Sequence, residues 1–70
     1  MDCNELKAQM VRKGFKVDFI AEKIGISRSA FYRKLNGSSE FDREEISKIA
    51  ELLELQPKDV YNIFFAKEVS

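Results

Sequence analysis

The stretch IAEKIGISRSAFYRKLNG, residues 20–37, decides the fold, because two short helical patterns meet in it at one glycine. The first pattern ends at Gly25, and its apolar stripe consists of Ile20, Ala21 and Ile24. The second begins at Ser27, a residue type suited to capping a helix N-terminus, and runs to about Leu35. With so few residues between them, the two helices are predicted to cross steeply.

The rest of the chain adds three more helical patterns and no alternation of period two. Asp42 and Glu45 form a capping-box-like pair, Pro57 suits a first helical position, and Asn36-Gly37 is expected to adopt the left-handed conformation that closes a helix. The prediction is an all-α fold in a single domain over residues 1–70. Its helices are expected at residues 4–13, 17–24, 28–35, 43–54 and 57–65.

The charges sum to zero but are unevenly spread. Residues 23–43 carry five basic and two acidic side chains, whereas residues 44–70 carry three basic and six acidic ones. The acidic side chains of the fourth helix are interpreted as a solvated face. The positive excess therefore coincides with the third helix.

Several function classes lack the residues they need. The chain has no histidine, and its lone Cys3 is expected to pack rather than react, so we predict no metal site, no cofactor and no catalytic activity. No small-molecule substrate is expected. The first twenty residues contain charges every few positions, so neither a signal peptide nor a membrane segment is expected. A cytoplasmic location follows.

Residues 20–37, followed by EFDREEISKIAELL at residues 40–53, resemble the helix-turn-helix of phage-repressor and Cro-like (XRE-type, lambda-repressor-like) regulators. The resemblance covers roughly residues 4–65. It implies a compact five-helix domain, formation of the helix-turn-helix by helices 2 and 3, and binding of double-stranded operator DNA. It also implies transcription regulation by a repressor of phage or mobile-element type, usually as a homodimer on a palindromic site.

With Phe31 facing inward, the other side of the third helix is polar. The resemblance implies base contacts in the major groove from Arg28, Ser29, Tyr32 and Arg33. It implies phosphate contacts from Ser27, Asn36, Ser38 and Arg43. Lys16 opens the second helix where the family often has a Thr-Gln pair, and it is expected to offer a charge to a phosphate instead.

The fifth helix raises a second question, because Tyr61 and Phe65 lie beside its inward face. They either close over the core of a monomer or form a two-fold dimer interface, and the dimer is favoured. A competing hypothesis is that the scaffold is a protein-interaction module or antirepressor that does not bind DNA. The zero net charge and the missing Thr-Gln pair motivate that alternative.

Overall fold

The computed structural model describes residues 1–65, and these residues are helical with short connections. The helices are α1 Cys3–Lys13, α2 Val17–Ile24, α3 Arg28–Leu35, α4 Arg43–Leu52 and α5 Pro57–Val60, which continues as a π-helical turn, Tyr61–Phe65. The predicted all-α, five-helix fold is confirmed. The last five residues of the proposed single domain, 66–70, lie outside the described residues, so its extent stays a prediction.

The end of α3 differs in one detail from the prediction. Asn36 keeps a right-handed conformation (φ −87°), and Gly37 alone is left-handed (φ +86°). The amide of Gly37 donates to the carbonyl of Lys34, and the amide of Ser38 donates to that of Arg33 at 2.8 Å. This pair of bonds is a Schellman motif, in which only the residue after the cap has to be left-handed.

The same pair of bonds closes α4, but without a glycine. Glu54 adopts the left-handed conformation there (φ +53°), and its amide donates to the carbonyl of Glu51. The helix therefore ends at Leu52, two residues before the predicted end. The sequence offered no stop signal, because the position that usually holds glycine holds glutamate.

The core lies between α1, the crossed pair α2 and α3, α4 and the π-helical turn. Ile20, Ile24 and Phe31 fill the wedge between α2 and α3, and each is at most 4% exposed. Among residues 1–65, the buried apolar residues are Leu6, Met10, Ile20, Ala21, Ile24, Phe31, Leu35, Phe41, Ile46, Ile49, Leu53, Ile63 and Phe64. This core fixes the angle at which α3 leaves the body of the protein.

Phe41, in the connection before α4, is a core residue that the helical patterns did not indicate. Its ring meets Phe31 edge-on at 5.6 Å and Phe64 at 5.9 Å, so three rings run from α3 to the π-helical turn. Edge-to-face contacts of this kind add to the burial of apolar area. The buried side of α3 is thus supported by the far end of the chain.

An ion pair with little exposure joins α3 to α4. Lys34 Nζ lies 2.6 and 2.7 Å from the two carboxylate oxygens of Glu45 and 5.9 Å from the centre of the Phe41 ring. Glu45 also accepts from the Asp42 amide, and its own amide donates to Asp42, which completes a capping box. The interpretation of the α4 carboxylates as a solvated face is therefore wrong for Glu45, which is only 8% exposed.

Candidate nucleic-acid interface

Helix α3 has one buried side and one solvent-facing side. Phe31 is fully buried and Leu35 is 4% exposed, so the helix is anchored along that stripe. The four predicted base-contacting side chains, Arg28, Ser29, Tyr32 and Arg33, are all exposed. Ser29 and Arg33 lie opposite the buried stripe, whereas Arg28 lies at its edge toward α2 and lines a depression with Tyr32. Together the four side chains carry guanidinium, hydroxyl and phenol donors.

Local interactions fix where α3 begins. The Ser27 hydroxyl accepts from the Ala30 amide at 3.1 Å, as an N-cap does. Before it, Gly25 has φ +81°, and no atom lies within 4 Å of the place where a Cβ would be. The turn therefore requires glycine for its backbone conformation and not for space.

Arg28 is not free on this surface. Its Nε lies 3.0 Å from Oδ1 of Asp18, the second residue of α2. The two side chains are 66% and 67% exposed, so the pair contributes only about 0–1 kcal/mol to stability. The first base-reading candidate is therefore held by an acidic neighbour, which the sequence pattern did not indicate.

The predicted phosphate-contacting residues are all exposed: Lys16, Ser27, Asn36, Ser38 and Arg43. Lys16 is the N-cap of α2, and the described residues give its ammonium group no ion-pair partner. The backbone amide of Ser38 is already bonded to Arg33, which leaves the Ser38 hydroxyl as the group that can reach a phosphate.

A shallow depression lies between α1, α2 and α3. Its lining includes Lys16, Arg28 and Tyr32, together with Asp18 of α2 and Lys7 of α1. Sequence reasoning assigned α1 only to packing and missed Lys7. The sequence shows Lys7 only as a polar residue of α1, and the folded arrangement places it beside the first turn of α2.

Residues 5–65 match the family model of the Cro/C1-type HTH DNA-binding domain. The chain belongs to this family. The match covers most of the chain and confirms the resemblance to Cro-like helix-turn-helix proteins. No curated protein and no solved structure gives a significant match to the chain. The Cro/C1-type assignment identifies a DNA-binding transcription regulator of a family that is typically non-enzymatic.

In the folded Cro/C1-type domain, some of the basic side chains that give residues 23–43 their positive excess are paired with acidic ones. Two of the five basic side chains between residues 23 and 43 have acidic partners, Arg28 with Asp18 and Lys34 with Glu45. The other three, for which the described residues provide no ion pair, are Lys23, Arg33 and Arg43. Attraction to phosphates therefore depends on few groups.

Two aromatic side chains near residue 65 of the Cro/C1-type domain are exposed. Tyr61 is 60% and Phe65 is 58% exposed, whereas Ile63 and Phe64 between them are buried. In the described part of the chain, neither ring is fully covered. Within residues 1–65, no helix has both the length and the apolar character needed to cross a membrane.

Proposed function

We propose that this domain is a sequence-specific repressor that inserts α3 into the major groove of double-stranded DNA. The observation that carries the proposal is the two-sided character of α3, with Phe31 fully buried behind an exposed row of donors. A helix anchored on one side and polar on the other fits the width of the major groove.

In this proposal each exposed residue of α3 makes a different contact with the DNA. Arg28 and Arg33 contact guanine through O6 and N7, because a guanidinium group matches those two acceptors. Ser29 donates or accepts at a base edge, and Tyr32 contacts a thymine methyl or a neighbouring phosphate.

Phosphate contacts then fix the register of α3 along the duplex. They come from Lys16, Ser27, Asn36, Ser38 and Arg43 on both sides of α3. Such contacts position a protein on DNA without reading its sequence.

Repression is proposed to require two copies of the chain. Tyr61 and Phe65 form an exposed aromatic pair that a two-fold related copy would cover. Two recognition helices about 34 Å apart would then meet successive major grooves on one face of a palindromic operator. A dimer on such an operator would block transcription by occupying the site, in the cytoplasm of a host that carries a phage or mobile element.

Selection of bound duplexes from a random pool, followed by binding measurements on single variants, tests the proposal. Arg33→Ala is expected to cost about 1–3 kcal/mol of binding free energy and to relax preference at one base pair. Arg43→Ala is expected to weaken binding to all sequences alike and to reduce the salt dependence by about one ion.

Lys58→Ala, on α5, is the control, because it removes an exposed positive charge outside α3 and its flanking turns. It should leave both the preference and the affinity nearly unchanged. Recovery of no preferred sequence by the wild-type chain would contradict the proposal.

The exposed aromatic pair also favours a second candidate function, a module that binds a helical protein partner through Tyr61 and Phe65. A gel shift separates the two functions. The module should leave both random and selected duplexes unshifted, whereas the repressor should shift the selected duplex at lower protein concentration.

A further inference from the structure

We propose that Asp18 is a positioning residue that fixes which base Arg28 reads and limits binding to non-specific DNA. The inference rests on the proposed function, since it requires that Arg28 faces a base edge. It begins from the 3.0 Å contact between Arg28 Nε and Asp18 Oδ1.

The two partners of this ion pair belong to different helices, and the buried wedge fixes these helices relative to each other. Asp18 is in the first turn of α2, and Arg28 is the first residue of α3. Ile20 and Phe31, which lock the crossing, are both fully buried. Asp18 therefore presents its carboxylate from a fixed backbone position. The contact favours the Arg28 rotamers that reach it before DNA arrives, which lowers the entropy lost on binding.

The contact leaves Arg28 able to read a base. A guanidinium group has five N–H donors, and Nε carries only one of them. The two Nη nitrogens carry the other four, and two parallel N–H bonds are sufficient for O6 and N7 of guanine. Arg28 can therefore contact Asp18 and a guanine at the same time.

The carboxylate has a second effect, on DNA of any sequence. Beside Asp18, the charge of Arg28 is partly offset toward a phosphate, and the carboxylate itself repels the DNA backbone. Non-specific binding is driven by counterions that leave the DNA when basic side chains neutralise its phosphates. Because Arg28 is paired with Asp18, it contributes little to this release. A guanine in the right place still gains its hydrogen bonds, and discrimination between sequences increases.

Three variants of the full chain test the proposal on the duplex that the wild type selects. Arg28→Ala identifies the base pair that Arg28 reads, as the position where preference disappears. Asp18→Asn is expected to reduce preference at that same position by about three- to tenfold. It should also tighten binding to a random duplex and steepen the logarithmic salt dependence by about one unit.

Glu22→Gln is the matched control, because it removes one negative charge from an exposed residue of the same helix. It should leave preference at the Arg28 position unchanged. In the Arg28→Ala background, Asp18→Asn should produce no further change in preference. A purely structural role of Asp18 would instead lower the unfolding temperature and leave base preference intact.

The outcomes separate this inference from the function on which it rests. If the wild type selects no sequence, the proposed repressor fails and the role of Asp18 fails with it. If the wild type selects an operator but the Asp18→Asn variant has the same base preference at every position, only the role of Asp18 is overturned. An equal effect of Asp18→Asn and Glu22→Gln on preference at that position overturns it as well.

Discussion

Glu54 shows how one residue can work against an otherwise well-formed helix end. Its φ of +53° is a conformation that side chains with a Cβ adopt at a cost of about 1 kcal/mol. The hydrogen bonds that close α4 are nevertheless made, with the Leu55 amide donating to the Ala50 carbonyl at 2.9 Å. The fold therefore imposes this conformation, and the local sequence opposes it.

Glu54→Gly is expected to stabilise the protein by about 0.5–1 kcal/mol, because glycine adopts the left-handed region without steric conflict. Urea denaturation followed by circular dichroism measures the change. Glu51→Gly, inside α4, is the control and should destabilise by about the same amount. A loss of stability in both variants would contradict the prediction that the left-handed conformation costs free energy at Glu54.

At the scale of the elements, the helices were largely predictable, and the links between them were not. The turn between α2 and α3 carries its own signals in Gly25 and Ser27, so the crossing followed from local sequence. The pairs Lys34–Glu45 and Arg28–Asp18 join residues of different helices, and no local pattern indicates which charges will meet. For the same reason the sequence suggested a more cationic reading face than the structure has.

The Lys34–Glu45 pair yields a prediction at this scale. Its side chains are 18% and 10% exposed, so removing one partner leaves a poorly solvated charge. Lys34→Met is expected to destabilise the fold by about 2–4 kcal/mol, a little below the range for a fully buried pair. Thermal unfolding measures the loss.

Lys48→Met is the matched control, because Lys48 pairs with Glu44 at 3.8 Å on the surface of α4. Its loss should cost less than about 0.5 kcal/mol. Equal losses in the two variants would mean that the link between α3 and α4 contributes nothing beyond a surface ion pair.

The whole molecule presents two separate surfaces, the donors of α3 and the exposed rings at the end of the described chain. Each would serve a different partner in the proposed repressor, DNA for the first and a second copy for the second. The three rings Phe31, Phe41 and Phe64 pack between these two surfaces, inside the core.

Replacement of both Tyr61 and Phe65 by alanine is expected to shift the chain from dimer to monomer in sedimentation experiments. Both side chains are more than half exposed, so the fold should lose little stability. Binding to a palindromic operator should weaken more than binding to a half-site. Val11→Ala, at an apolar residue of α1 that is 79% exposed, is the control and should leave the oligomeric state unchanged. A wild-type chain that stays monomeric on the operator would contradict the dimer.

The amide of Asp2 donates to the carbonyl of Ile63 at 2.6 Å, and Met1 lines the same surface cleft as Phe65. A purification tag fused ahead of Met1 would therefore emerge beside Phe65 and could block self-association through that residue. The tag should be placed on a long flexible spacer or cleaved off before sedimentation. A chain whose interface is blocked by the tag is then not mistaken for a monomer.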